Sequence, residues 1–177
     1  IVHPIHLWFN MKELTGIVVL AAGGSSRLGQ PKQLLLYKNA TLLKNTISEA
    51  SQVANSAIIV VTGSNHELIE KEITNPKIKT IFNPDWELGM SSSIATGLKE
   101  LLRLYPDITK SIFTVCDQPY ITTIVFENLI KEYQKKAKGI IASAYSETAG
   151  APVLFHQKYF TELLQLKGQE GAKKIIN

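Results

Sequence analysis

Short, unbroken apolar runs alternate along this chain with stretches of helical rhythm. Ile17-Val18-Val19-Leu20, Ala57-Ile58-Ile59-Val60-Val61 and Ser111-Ile112-Phe113-Thr114-Val115-Cys116 are continuous rather than alternating, and rich in β-branched residues. Such runs predict strands buried on both faces of a parallel sheet. Between them, Thr41 is placed to cap a helix with Leu42, Leu43, Ile47 and Ala50 on one face. Residues 67–73 form a shorter helix, and residues 78–82 alternate like a strand with one exposed face. Serines 91–93 are expected to cap a helix whose apolar face is Ile94, Leu98, Leu101, Leu102 and Tyr105. Thr122 or Thr123 caps the next, with Val125, Phe126, Leu129, Ile130 and Tyr133 inward. Residues 140–144 and 152–155 read as strands flanking Gly150-Ala151-Pro152, and residues 159–166 as a last helix. This alternation predicts one doubly wound α/β domain.

The chemistry gathers after the first strand. Ala21-Ala22-Gly23-Gly24-Ser25-Ser26 is a run of small residues whose backbone N–H groups can approach an anion unobstructed. Arg27 and Lys32 follow, with Gly29 and Pro31 bending the chain between them. A buried strand that releases such a loop is suited to holding polyphosphate at the carboxyl edge of a sheet. It is neither a P-loop, since Gln30-Pro31 follows Gly29, nor a dinucleotide fingerprint, since G-x-G-x-x-G is absent from the loop. Asp117, just past another predicted central strand, stands where α/β enzymes place ligands. Backbone groups at Thr62-Gly63 are placed to meet a nucleotide base, and the serine-rich helix start at Ser92 adds donors and dipole. Cys116 reads as a small buried strand residue rather than a nucleophile.

The run Leu20-Ala21-Ala22-Gly23-Gly24-Ser25-Ser26-Arg27-Leu28-Gly29-Gln30-Pro31-Lys32 closely resembles the loop LAAGxSxRMGxPK of the nucleotidyltransferases that act on molybdenum cofactor. Ala22 and Pro31 are most like the cytidylyltransferase branch, because the guanylyltransferase branch tends to have Gly and Asp there. The resemblance implies a three-layer α/β/α fold of the nucleotide-diphospho-sugar transferase (Rossmann-like) type, with a mostly parallel sheet. It implies transfer of CMP from CTP to the terminal phosphate of molybdopterin, with release of pyrophosphate. Leu20 to Arg27, Lys32, Thr62, Gly63 and Ser92 would contact the nucleotide. Arg27 would hold the β/γ-phosphates, Lys32 the α-phosphate, and Asp117 a Mg²⁺ ion. Asp117-Gln118-Pro119 is similar to the family's DQP motif, and Gly150-Ala151-Pro152 to its G-x-P loop, so Gln118, Pro119, Gly150 and Pro152 are assigned to the acceptor. The receiving partner would be a molybdoenzyme. The pattern departs at Gly168-Gln169-Glu170-Gly171-Ala172-Lys173, where the family has GDxGAR and then an extension carrying another acid. That end of the family domain is expected to be missing, and Glu170 compensates only if the loop shifts.

Composition narrows the setting. At 177 residues one domain is expected, with no apolar run near a membrane span. A net charge of +4 suits anionic small molecules better than a nucleic-acid groove. One cysteine, Cys116, argues against a disulfide framework and for a reducing, cytoplasmic setting. Residues 1–10 read as a vector-derived or poorly ordered tail without a signal peptide, and 11–177 as the domain. Three functions stay open: a cytidylyltransferase on molybdenum cofactor, a same-fold enzyme using another base or a sugar or alcohol phosphate, and a non-catalytic nucleotide- or cofactor-binding module.

Overall fold

A computed structural model describes residues 13–24, 29–136, 138–145, 148–169 and 171–176. The chain runs β1 (Thr15–Ala21), the short hairpin β2 (Leu36–Tyr37) and β3 (Ala40–Thr41), α1 (Leu42–Ser51), β4 (Ser56–Thr62) and α2 (His66–Glu72). It continues through β5 (Lys79–Phe82), α3 (Met90–Leu104), β6 (Lys110–Val115) and α4 (Thr123–Lys136). The antiparallel β7 (Ile140–Tyr145) and β8 (Thr148–His156) follow, then α5 (Phe160–Leu164) and α6 (Lys173–Ile176). Six strands form one sheet in the order β5-β4-β1-β6-β8-β7. The four on the β5 side are parallel, and β8 joins β6 antiparallel. The sheet is thus mostly parallel, as its continuous apolar runs require.

Period-2 alternation sorts β1 between two cores. Ile17, Val19 and Ala21 pack with Leu43 and Ala50 of α1 and with Phe126 and Leu129 of α4. Val18 and Ala22 pack with Ile94, Leu98 and Leu101 of α3 and with Phe160 and Leu163 of α5. Helices therefore cover both faces, which gives three layers. The chain leaves β1 toward β4 in one direction and returns to β6 in the other. The topological switch point lies between β1 and β6, where such sheets open a crevice outside the strand ends.

Two local expectations need correction. The serines do not cap α3: Gly89 takes that place with φ of 106°, a left-handed backbone that favours glycine, and Ser91–Ser93 fall inside the first turn. Thr122 stands at the cap position of α4, as expected, its carbonyl accepting the Val125 and Phe126 N–H groups at 2.9 and 3.5 Å, and Thr123 opens the helix. The Thr123 hydroxyl donates to Glu49 of α1 at 2.7 Å, and the Glu49 carboxylate accepts the Thr123 N–H at 2.7 Å, supplying the negative charge that a helix start favours. Gly150-Ala151-Pro152 is not a loop between strands but part of β8 itself. The register jumps from Ala142 opposite Val153 to Ser143 opposite Gly150, leaving Ala151 and Pro152 in a bulge. A bulge is where a strand tolerates proline, because no ladder N–H is required.

Candidate active site

The switch point carries a cleft of about 430 Å³. Leu20, Ala22, Gly23 and Gly24 form one wall as the chain leaves β1, and Lys32 closes that side. Val115, Cys116 and Asp117 form the wall beyond β6. Leu20 lies opposite Val115 in the parallel ladder, so the two walls face each other across adjacent strand ends. Lys32 and Asp117 are both exposed, on opposite sides of one opening. A cation and a carboxylate so placed suit an anionic ligand that carries its own counter-charge.

The third wall comes from the turn before α3 and from the C-terminal segment. Trp86, Glu87, Gly89 and Met90 line it, and Gln169 closes it. Gln169 Nε2 donates to the Glu87 carbonyl at 3.4 Å, and the Ser91 N–H meets the Gly168 carbonyl at the same distance. Asn83, fully buried, braces the turn by donating to the Ser92 and Ser93 hydroxyls at 2.9 and 3.0 Å. The carbonyls of Asp85 and Gly89 both lie 2.8 Å from Ser92 Oγ, whose single proton is donated to one of them. Its hydroxyl is committed to shaping the turn, and it is Ser93 that borders the cleft.

Thr62 and Gly63 stand behind the loop instead of lining the cleft. The Ala22 carbonyl accepts the Ser64 N–H at 3.2 Å. A Cβ on Gly63 would stand 2.5 Å from the Ala22 oxygen and 2.8 Å from Trp86 Cβ, so only glycine permits this close approach. Ser25, Ser26, Arg27 and Glu170 lie outside the described residues, as does the tail of residues 1–12. Gln118, Pro119, Gly150 and Pro152 do not line the cleft. The β6–β8 pairing ends at Phe113 opposite Val153, just before Pro152 and the bulge.

Reasoning from sequence missed Gln33 and Glu87, and marked Gln169 only as a departure from the family pattern. Gln33 is 3% exposed and donates from Nε2 to the carbonyls of Ala21 and Gly23 at 2.9 and 2.8 Å. The available signal was an amide heading an apolar run, Leu34-Leu35-Leu36, where it has no packing reason to be. Cys116 is buried, and that burial, helped by the Asp117 charge, pushes its thiol up to about 12. It is protonated at any physiological pH and cannot serve as a nucleophile. Among the described residues, no three His, Cys, Asp or Glu side chains gather as a ready-made metal cage. Asp117 nonetheless offers hard oxygen ligands in a cleft open to phosphate. That fits a Mg²⁺-like ion, which is commonly held by one or two carboxylates plus substrate phosphates.

Residues 17–177 match the MobA-like NTP transferase domain. The chain belongs to that family. It is 26% identical over 159 residues to the molybdenum cofactor cytidylyltransferase of Escherichia coli K12, covering 90% of this chain and 79% of that protein. It is also 26% identical to the bifunctional protein GlmU of Francisella tularensis subsp. novicida, of which it spans only 35%. Among solved structures, Rv0371c of Mycobacterium tuberculosis superposes with a TM-score of 0.80 at 27% identity, covering 93% of this chain and 82% of that one. The same protein in complex with manganese gives 0.76 at 26% identity, with the same coverage. The chain is a nucleotidyltransferase by family, and none of its described helices is long and apolar enough to cross a membrane.

Proposed function

We infer that this chain transfers CMP from CTP to the terminal phosphate of molybdopterin, releasing pyrophosphate. One observation carries the reading: the glycine loop with Lys32 and the acid Asp117 meet across one cleft at the sheet's switch point. The likeness to the E. coli cytidylyltransferase and the Ala22 and Pro31 of the loop support cytidine.

Nucleotidyl transfer asks little covalent help of the protein. A phosphate monoester with a second pKa of about 6 is largely dianionic at neutral pH, so its oxygen attacks without a general base. The obstacle is one anion approaching another, and positioned positive charge lowers it. In this reading the triphosphate lies on the backbone N–H groups of residues 22–26. Arg27 steadies the β- and γ-phosphates. The Lys32 ammonium takes charge that builds on the α-phosphate as the bond to pyrophosphate breaks. Thr62 and Gly63 fix the height of the loop under the base, with Ser92 bracing the neighbouring turn. Gln118, Pro119, Gly150 and Pro152 steer the acceptor. Asp117 would hold Mg²⁺, which when bound neutralises phosphate charge. A cytoplasmic setting and hand-over to a molybdoenzyme complete the proposal.

Gln169 favours a second reading, a non-catalytic nucleotide- or cofactor-binding module. It stands in the cleft wall where the resemblance leads one to expect an acid. The deciding experiment incubates the chain with labelled CTP, Mg²⁺ and molybdopterin, with GTP in parallel. Expected are pyrophosphate and a CMP adduct, with CTP preferred and turnover slow. Binding without any pyrophosphate selects the module. A GTP preference, or transfer only to sugar phosphates as the likeness to GlmU would suit, selects another same-fold enzyme.

A further inference from the structure

Gln33 stands on the 3₁₀ turn Lys32–Leu34, directly after the cation of the cleft. Its amide nitrogen is used twice within one three-residue stretch, on the carbonyls of Ala21 and Gly23. In a trans peptide the N–H points opposite to the C=O. Holding those two carbonyls toward Gln33 therefore directs the N–H groups of Ala22 and Gly24 away from it. The carbonyl between them, that of Ala22, is taken by the Ser64 N–H. Three successive peptide planes are thus fixed by contacts from outside the loop.

A second observation shows that packing alone does not explain the residue. Gln33 Oε1 is buried and has no hydrogen-bond partner. A buried amide oxygen left unsatisfied costs stability, and an apolar side chain of similar length would avoid that cost. The two bonds from Nε2 have to offset it, and what they hold is the loop.

We propose that Gln33 is a positioning residue that clips the glycine loop into its anion-binding shape and ties that shape to Lys32. Loop donors and the Lys32 ammonium then respond to a triphosphate as one unit, because adjacent residues of one turn anchor both. This rests on the loop holding triphosphate, but not on the identity of the base or acceptor.

The test uses the full chain as wild type, Gln33→Met and Gln33→Glu, with thermal unfolding to confirm folding. Binding of Mg²⁺–tripolyphosphate and Mg²⁺–CTP is measured by calorimetry between pH 5.5 and 8. Methionine keeps length and apolarity but donates nothing, so both ligands should bind about tenfold more weakly. Glutamate at pH 8 sets a carboxylate against two carbonyl oxygens and should lose more than methionine. Protonation returns one donor, so the affinity deficit of Gln33→Glu relative to wild type should shrink about tenfold on acidification to pH 5.5. Lys32, Glu87 and Asp117, the other charged groups of the cleft among the described residues, are common to both proteins and largely cancel in that ratio. A residue that only filled space would show no such recovery. Binding by Gln33→Met within twofold of wild type, or a pH-independent deficit for Gln33→Glu, overturns the proposal. If Gln33→Met does not fold, the Gln33→Glu series decides alone. Wild type that binds tripolyphosphate but prefers GTP leaves the clip standing and overturns the cytidylyl reading instead.

Discussion

The dry centre of the sheet and its antiparallel side are built to different standards, although β5 at the opposite edge is also half-buried to exposed. Strands β1, β4 and β6 are almost wholly buried, with Ile17, Val18, Val19, Ile59, Val60 and Ile112 at 0% exposure. Across β8 the sheet turns antiparallel, and the outermost strand β7 is half-buried to exposed throughout. The dry centre carries the glycine loop, Lys32 and Asp117. The wetter antiparallel side carries the bulged Gly150–Pro152 stretch assigned to the acceptor. In the proposed function, rigid support would go to the phosphates, whose charge has to be met at fixed points, and looser support to the partner that has to enter and leave.

The sharpest way to break this contrast is chemical. Lys32→Ala should lower kcat by about 10²–10³, roughly 3–4 kcal/mol at the transition state, with little change in CTP affinity. Gly150→Ala, whose new methyl meets nothing within 4 Å, should leave CTP binding unchanged and alter only the acceptor KM. Steady-state kinetics with each substrate varied would show it, and equal effects on both substrates would erase the distinction.

Stability should divide along the same line. Ile112→Ala, in the dry centre, should cost about 3 kcal/mol by denaturant unfolding, and Ile141→Ala on β7 about 1 kcal/mol or less. Thr41→Ala should cost about 1 kcal/mol, because its hydroxyl accepts the Lys44 N–H at the start of α1. The smallest effect is pH-dependent. Hydrogen bonds from the Thr123 hydroxyl and N–H hold the Glu49 carboxyl below its ordinary value. A depressed carboxylate stabilises the fold above its unfolded value of about 4.3, and that contribution is lost as pH falls through the folded value. Glu49→Gln should therefore lower Tm slightly at pH 7 and leave it nearly unchanged at pH 3.

Legibility followed the same division. The strands of the dry centre announce themselves as continuous apolar runs, and their ends place Gly23 and Asp117 correctly. On the antiparallel side the bulge escaped notice, since Gly150-Ala151-Pro152 reads as a loop unless its partner strand is known. The Glu49 contact at the start of α4 escaped notice for a similar reason, because Glu49 reaches it from 74 positions away. Gln33 was missed because its work is done on backbone carbonyls ten and twelve positions away. Residue type betrays little of such work.

The buried thiol beside Asp117 makes the cleft its own chronometer. Cys116 is the chain's one cysteine, and at 4% exposure it is shielded from alkylating reagents while β6 is in place. Its labelling therefore counts openings of the strand that delivers Asp117. A bound nucleotide bridging the two walls would slow that count in proportion to its affinity, so the molecule carries an intrinsic, dye-free gauge of occupancy.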